Sequence, residues 1–394
     1  MHILIIPSVP PYVPIEYLLP SIFPMDQAIV LKKAGYKIGI LSPNLRSLAL
    51  IKNMSPEWKH GFEFENDNGI PVYRFHGWNW FPLIINSASQ RWVKIGMRLF
   101  ERYVDEQGMP DIVHAHNAFR AGMLANQIKN MFAIPYVITE HSSHFARRLF
   151  NKVSLLQIKS AYKNSEVIIV VSPSLKILLE SLFGDVIKPF ELVPNILNHI
   201  FENEALRSKK YKSKSNVFRF LNVAVLEEIK GHSDLLKAFA KKFKGLSDVQ
   251  LRIGGHGSLQ DKLVTLAKKL KVEKQVLFLG YLSREQVLHE MKKCDIFVLS
   301  SYYETFGVVL IEALSCGKPV IATDCGGPRS IITRSNGILV PAKDIDSLGN
   351  AMAEIHDTIN TYDSESIISD CIARYGQNAF VTKLSKIYFR IGRL

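Results

Sequence analysis

The sequence lacks paired cysteines. It has four in 394 residues, and none of them stands at the spacing of a metal or dithiol motif. No zinc or redox motif is therefore predicted, and free thiols indicate a reducing compartment. The four are Cys294, Cys316, Cys325 and Cys371.

Long apolar runs are also missing. None approaches the roughly 20 residues that a membrane-spanning helix needs. The short apolar run over 1–6 ends at Pro7 and has neither a basic leader nor a cleavage site, so it predicts a first strand rather than a signal peptide. We expect a soluble or peripheral protein in the cytoplasm, with the inner face of the cell membrane as the alternative location.

Acidic residues are scarce relative to basic ones. Lysine and arginine number 49 against 36 Asp and Glu, which gives a formal net charge of +13. Such an excess indicates nucleic acid, an anionic membrane surface or anionic small molecules as partner. A merely basic surface is the alternative. The sequence has no zinc-finger spacing and no aromatic RNP-like strand, so nucleic acid is not expected as a partner.

What is present is a repeated alternation of β-branched apolar runs with helical patterns. It predicts parallel sheets covered by helices, and the length suits two such domains. A polar, basic run at 209–215 interrupts the alternation. We predict an N-terminal domain over 1–195, a linker over 196–216, a C-terminal domain over 217–375, and a last helix over 376–394 that packs back on the N-terminal domain.

The expected fold class is α/β, with two Rossmann-like, doubly wound parallel-sheet domains facing across a cleft. Ligands of such sheets bind beyond the carboxyl ends of the strands, and each motif below follows a predicted strand. A helix is predicted over 117–130. The predicted strands are 2–6, 37–41, 111–114, 136–139 and 167–171, then 218–225, 249–253, 276–279, 296–299 and 320–323.

The strongest motif lies between residues 300 and 313 and contains two acids, Glu304 and Glu312. A helix is predicted to begin near Gly307, and the amides of a helix N-terminus bind anions. Glu312 stands among apolar residues, so we predict a buried carboxylate that needs a partner, either the hydroxyls of a ribose or a buried Arg or Lys. Glu304 is predicted to accept from hexose hydroxyls, with an ordinary loop acid as the alternative.

Three further elements are weaker when each is taken alone. Lys230, before Gly231, could reach a diphosphate as a point charge or could be a solvated turn lysine. The glycines at 254–257 allow a ligand to approach the backbone, although a simple tight turn needs them too. The run Gly326-Gly327-Pro328 is interpreted as scaffold with a ligand-facing turn.

Together these elements resemble the retaining glycosyltransferases of family 4 (glycosyl transferases group 1), which have the GT-B architecture. The resemblance covers about 220–341 and, more loosely, the N-terminal half. It implies that His141, Glu304 and Lys230 form the catalytic group, with Lys230 on the diphosphate and His141 near the donor sugar. The implied donor-binding residues are Glu312, Thr305, Phe306, Gly307, Val308, Gly255, His256 and Gly280.

The N-terminal part of the resemblance rests on two segments, 111–116 and 139–143. It implies that His116 and Asn117 lie on the acceptor side, whereas His114 is expected to be a core histidine. Two departures from the family matter. Val225 stands where the family often has an arginine, so Lys230 and the helix start must carry more of the phosphate charge. A proline-rich loop from Pro7 replaces the family's glycine-rich loop and is expected to shape the acceptor site.

The resemblance implies transfer of a sugar, with retention, from a nucleoside-diphosphate sugar such as a UDP-sugar to a saccharide or lipid-linked acceptor in polysaccharide or glycolipid synthesis. We expect no cofactor and no metal, because no Asp-x-Asp motif is placed to hold a cation. The alternatives are a nucleotide-sugar epimerase of the same architecture and a non-catalytic nucleotide-sugar-binding protein. A dehydrogenase is disfavoured, since neither half opens with the dinucleotide fingerprint.

A segment rich in aromatic and basic residues raises a separate hypothesis of membrane contact. Residues 78–85 contain Trp and Phe and precede a helix with Trp92, Lys94, Arg98 and Phe100. Such a mixture suits an anionic interface. A core-packed helix with a solvated basic face is the alternative.

Overall fold

The computed structural model describes residues 1–8, 23–47, 59–79, 87–184, 190–207 and 216–392. Contacts between Cα atoms divide the chain into two compact units. The first unit comprises residues 1–171, 176–196 and 380–394, and the second comprises 172–175 and 197–379. The proline-rich loop beyond Ser8 and the basic run 209–215 lie outside the described residues.

An eight-stranded sheet forms the centre of the first unit. All six residues of β1 are buried, as expected for a strand covered on both faces. The strands are β1 (His2–Pro7), β2 (Lys37–Ser47), β3 (Gly61–Asp67), β4 (Ile70–Asn79), β5 (Ile112–His116), β6 (Tyr136–Glu140), β7 (Val167–Val170) and β8 (Phe190–Leu192). Their order is β3-β4-β2-β1-β5-β6-β7-β8, and neighbours are parallel except β3 and β4.

The antiparallel pair β3–β4 departs from the predicted parallel sheet. Asn68 and Gly69 join the two strands with φ values of 52° and 72°. A two-residue hairpin turn with positive φ at both positions matches the twist of the flanking strands. The hairpin therefore adds an edge to the sheet without a crossover helix.

The helices of the first unit follow the predicted alternation, with one late start. The helix predicted over 117–130 begins only at Met123, because a tight turn with non-helical backbone at Phe119 and Arg120 comes first. The helices are α1 (Phe23–Lys33), α2 (Ser87–Gln107), α3 (Met123–Phe132), α4 (Lys152–Asn164) and α5 (Pro173–Phe183).

A six-stranded, fully parallel sheet forms the second unit. Its strands are β9 (Phe218–Val223), β10 (Val249–Gly254), β11 (Val276–Gly280), β12 (Ile296–Leu299), β13 (Val320–Asp324) and β14 (Gly337–Pro341). The order is β11-β10-β9-β12-β13-β14, so the direction of winding reverses between β9 and β12. Such a reversal opens a crevice at the carboxyl ends of the two strands.

Helices complete the second unit and part of the first. Helix α6 occupies 199–207, so the prediction of a linker over 196–216 is wrong there; its Phe201 is buried. In the last helix, α13 (Gln377–Ile391), the apolar positions from Phe380 onward pack into the core of the first unit beside Ile3. The helices are α6 (His199–Arg207), α7 (His232–Phe243), α8 (Gln260–Leu270), α9 (Arg284–Lys293), α10 (Val308–Ser315), α11 (Ile345–Thr358), α12 (Ser364–Tyr375) and α13 (Gln377–Ile391).

The aromatic side chains of α2 belong to the core of the first unit. Trp92 and Phe100 are 1% and 0% exposed, so the core-packed alternative holds for them. Lys94 and Arg98 are exposed on the other side of the helix. Residues 80–85 of the same hypothesis lie outside the described part of the chain. Of the helices that the structure describes, none is long and apolar enough to cross a membrane.

Candidate functional site

The predicted donor residues and Lys230 lie at or just beyond the carboxyl ends of β9 to β12, except Glu312, which lies within α10. Lys230 follows β9 and Glu304 follows β12, the two strands between which the sheet reverses its winding. A ligand of a parallel sheet binds at this reversal. The structure therefore brings together residues that the sequence separates widely.

A glycine fixes the turn that carries Lys230. Gly231 has φ +65°, and a Cβ on it would lie 2.0 Å from the carbonyl oxygen of Ser300. The Ser300 hydroxyl donates to the carbonyl of Lys230 at 2.9 Å. Only glycine allows the loops after β9 and β12 to approach so closely.

Lys230 and Glu304 form an ion pair. Nζ lies 2.6 Å from Oε1, and the two side chains are 24% and 15% exposed. The Ser301 hydroxyl donates to the same oxygen at 2.8 Å. The Glu304 amide donates to the Cys325 carbonyl, and the Gly327 amide donates to the Glu304 carbonyl. The turn after β13, interpreted as scaffold from the sequence, thus holds the acid in place.

The loop before α10 is anchored by a ring contact of Phe306 and by a hydrogen bond to the Thr305 backbone. Phe306 is 2% exposed, and its ring lies edge-on to that of Tyr375 at 5.8 Å. The Ser172 hydroxyl donates to the Thr305 carbonyl at 2.6 Å. The Phe306 ring thus belongs to the packing of the loop, and the backbone amides at a helix start are the groups that can bind an anion.

Glu312 is half-buried, so the prediction of a buried carboxylate is wrong. Helix α10 packs on one side only: Leu310 and Ile311 are buried, whereas Val308 and Glu312 are half-buried. Positions 308 and 312 share a helix face. Glu312 therefore lies on the partly open face that leads to Gly307, where the helix begins with φ +100°.

Gly255, His256 and Gly280 lie together at the ends of β10 and β11. The Gly255 amide donates to the Gly280 carbonyl at 2.7 Å. Gly255 has φ +132°, and a Cβ there would lie 1.9 Å from the carbonyl oxygen of Ala224. The His256 ring lies edge-on to Tyr281 at 5.7 Å. The turn is built from close backbone contacts that a side chain at 255 would block.

His232 is the first residue of α7 and comes two positions after Lys230. No sequence pattern had indicated it as a site residue. His232 is 1% exposed, and neither ring nitrogen has a hydrogen-bond partner within the described ranges. Burial, with a smaller effect of Lys230, lowers its pKa to about 4. A buried N–H without a partner is costly, and such groups in native proteins call for an explanation.

Three histidines stack at the ends of β5 and β6 in the first unit. The ring centroids of His114 and His116 are 4.6 Å apart, and those of His116 and His141 are 5.3 Å apart with 6° between the planes. His116 Nδ1 lies 3.0 Å from His141 Nε2. Burial lowers the pKa of His114 to about 3, that of His141 to about 4, and that of His116 well below its usual value. All three rings are therefore neutral near pH 7.

The stack is anchored from the core. His114 is fully buried, and its ring nitrogens lie 2.6 Å from the Tyr388 hydroxyl and 2.7 Å from the Thr139 hydroxyl. These two partners fix the orientation of the first ring. Tyr388 comes from α13, which lies 274 positions further along the chain, so no local sequence pattern could have indicated it.

Glu140 holds the backbone around His141. Its carboxylate accepts from the amides of Ala118, His141 and Ser142 at 2.9–3.1 Å and from the Tyr162 hydroxyl at 2.8 Å. Burial raises the pKa of this carboxyl, and the four donors act in the opposite direction. The Asn117 side chain also accepts from the His141 amide at 3.0 Å.

These contacts join the residues predicted for the acceptor side, His116 and Asn117, to His141. Across the described residues, no three His, Cys, Asp or Glu side chains come together in a way that could hold a metal ion. The four cysteines are free and buried.

Comparison with known proteins identifies a family for each half of the chain. Residues 26–199 match the family described as Glycosyltransferase Family 4, and residues 203–363 match the family described as Glycosyl transferases group 1. An uncharacterized glycosyltransferase of Methanocaldococcus jannaschii is 30% identical over 309 residues, which cover 73% of this chain and 75% of that protein.

Two solved structures share the fold along the whole chain. Sucrose-phosphate synthase from Thermosynechococcus elongatus superimposes with a TM-score of 0.78 at 20% identity and covers 99% of each chain. The HepE protein of Anabaena, in complex with UDP, gives a TM-score of 0.71 at 19% identity and covers 100% of each chain. The two Rossmann-like parallel-sheet domains thus have the GT-B fold, and the chain belongs to the glycosyltransferases.

Proposed function

We propose that the protein transfers a sugar from a nucleoside-diphosphate sugar to an acceptor hydroxyl, with retention and without a metal. The observation that carries the proposal is the pair Lys230–Glu304 at the reversal of the second sheet, in front of α10. It combines a cation, a carboxylate and the amides of a helix start at the place where a parallel sheet binds its ligand.

The diphosphate is proposed to bind Lys230 and the amides of residues 306–308. In the reaction, the bond between the anomeric carbon and the diphosphate oxygen breaks, a bond to the acceptor oxygen forms, and the acceptor hydroxyl gives its proton to the departing diphosphate. Lys230 and the amides stabilise the charge on the departing diphosphate. Val225 supplies no charge, so these groups act as the counter-charge without a divalent ion.

The nucleoside and the sugar are assigned to separate acids. Glu312, on the partly open face of α10, accepts from the ribose hydroxyls, and Glu304 accepts from the sugar hydroxyls. The turn with Gly255, His256 and Gly280 provides backbone contacts at neighbouring strand ends. HepE of Anabaena has been solved with UDP, which supports uridine as the base to test first.

The first unit is proposed to supply the acceptor side. Neutral His116 and His141 can donate or accept a hydrogen bond without carrying charge. Glu140 and Asn117 hold the His141 backbone amide. His141 is proposed to face the donor sugar. Retention is inferred from the resemblance to family 4. A saccharide or lipid-linked acceptor in polysaccharide or glycolipid synthesis is the proposed class of substrate.

A thermal-shift screen of uridine, guanosine and adenosine diphosphates and their sugars tests the donor assignment. One nucleotide should raise the melting temperature, because a ligand of the folded state stabilises it by mass action. Product analysis with that donor then separates transfer from epimerisation and from binding alone. Absence of any nucleotide response would contradict the proposal.

We also propose that the protein works in the cytoplasm, on an anionic membrane face. Charge supports this location: the net charge is +13, and Lys94 and Arg98 are exposed on α2. Flotation with vesicles tests it. The protein should rise with vesicles that contain anionic lipid and stay behind with neutral ones, and equal behaviour with both would exclude electrostatic binding.

A further inference from the structure

The turn Ala118–Gly122 after β5 holds Arg120 in a strained conformation. Its φ is +64° and its ψ is −70°, the γ-turn region that is rare for a residue with a Cβ. The Ser8 hydroxyl lies 2.6 Å from the Phe119 carbonyl oxygen and 3.3 Å from the Ala121 nitrogen. Glu140 fixes the Ala118 amide at the start of the turn. The fold therefore imposes this conformation on an arginine where glycine would be unstrained.

The side chain of Arg120 is a cation without a counter-charge. Its Nε is buried and has no hydrogen-bond partner in the described ranges, and no carboxylate there pairs with the guanidinium. Its contact is with the Phe119 ring, 5.7 Å from the guanidinium carbon to the ring centroid. Arg120 as a whole is half-buried, and the burial of its inner part lowers its pKa. A cation held partly out of water without a counter-charge is costly.

The titratable groups around this cation are basic as well. Burial lowers the pKa of His144, and the charges of Arg147 and Arg120 lower it further. Glu140, the acid that reaches the turn, is occupied by its four donors. The turn thus presents positive charge that no described acid neutralises, next to Asn117 and the histidine stack.

We propose that Arg120 binds a phosphate or carboxylate group of the acceptor. The inference rests on the proposed function, since it concerns the acceptor side. A guanidinium matches both oxyanions through parallel N–H donors. Such an anion would supply the missing counter-charge and would hold one part of the acceptor at the turn that begins with Asn117. The acceptor is therefore an anionic molecule rather than a neutral sugar.

The test measures anion binding apart from the donor site. The Lys230→Met background removes the donor-side cation, and inorganic phosphate or succinate is titrated while the melting temperature is recorded. At an anion concentration several times the dissociation constant, the melting temperature should rise by about 2–4 °C. Phosphate and succinate serve as separate arms that distinguish the two oxyanions, and glycerol serves as the neutral control.

Arg120→Gly and Arg120→Met in this background should lose the shift, whereas Arg98→Met on α2 should keep it. The Arg120→Gly variant can adopt the same backbone conformation without strain, so we expect it to fold and to give a melting curve. A shift that persists in both Arg120 variants, or no shift with either anion in the parent, overturns the inference. The nucleotide screen on the wild type is independent: its failure contradicts the proposed function, whatever the anions do.

Discussion

The Nζ atom of Lys230 lies 2.6 Å from Oε1 of Glu304, although 74 positions separate the two residues. A diphosphate that binds Lys230 must therefore compete with this carboxylate. Donor binding would exchange one ion pair for another and leave Glu304 to accept hydrogen bonds from the sugar. The exchange links occupancy of the phosphate site to the state of the proposed catalytic acid.

Glu304→Gln should separate binding from turnover. Removing the competing charge frees Lys230, so nucleoside diphosphate should bind roughly fivefold more tightly, about 1 kcal/mol for a partly exposed pair. Sugar transfer should fall by roughly 10²–10³-fold. Calorimetric titration and a product assay measure the two effects. Weaker nucleotide binding in this variant would show that the pair does not compete with the ligand.

Glu312→Ala and Lys230→Met should differ in which ligand they lose. Without Glu312, affinity for a nucleoside diphosphate should fall roughly 30–100-fold, because the ribose hydrogen bonds to a half-exposed carboxylate are together worth about 2–3 kcal/mol. Affinity for inorganic pyrophosphate, which has no ribose, should stay. Without Lys230, both ligands should weaken. Lys237→Met, an exposed lysine of α7, is the control. Equal loss of both ligands in Glu312→Ala would refute the ribose assignment.

Glu140→Gln should destabilise the protein although it changes few atoms. Both carboxylate oxygens accept two hydrogen bonds, so an amide NH2 at either place would face donors. We expect a loss of about 2–4 kcal/mol and a melting temperature lower by roughly 5–10 °C. Glu166→Gln, whose parent pairs with Lys129 near the surface, should change little. A wild-type melting temperature for Glu140→Gln would contradict the role of Glu140 in holding the backbone around His141.

Stability should decrease on acidification below pH 6.5. The pKa is about 3 for His114 and about 4 for His141 and His232, below the ordinary 6.5. Between pH 6.5 and 4 the unfolded chain binds protons at these rings and the folded chain does not, so the free energy of unfolding falls as pH falls. Melting curves from pH 7.5 to 4.5 measure it. His114→Asn should flatten the dependence.

Local patterns were enough for most of the framework. Strand β12 is observed at the predicted residues, Ile296–Leu299, because a buried strand of a parallel sheet is a continuous apolar run. The hairpin at Asn68-Gly69 was missed, although that dipeptide is a strong turn signal. Helix α6 was read as linker because the basic run beside it dominated the composition.

The site was predicted less well wherever its geometry depends on the exposure of a side chain or on contacts between residues far apart in the chain. Apolar neighbours of Glu312 suggested burial, but a helix packed on one side leaves another face half-open, and sequence does not say which. The contact of Tyr388 with His114 and the strain at Arg120 depend on residues far apart in the chain. These two features can be recognised only in the folded protein, where the ends of the strands lie side by side.

The return of α13 to the first unit makes that unit discontinuous in the chain. Its core includes side chains from Phe380 to Ile391 as well as from β1. During synthesis, the core of the first unit therefore cannot be completed until the whole second unit and α13 have emerged from the ribosome. A fragment that stops at residue 196 should expose apolar core surface and aggregate, and a peptide of residues 377–392 added in trans should rescue its solubility.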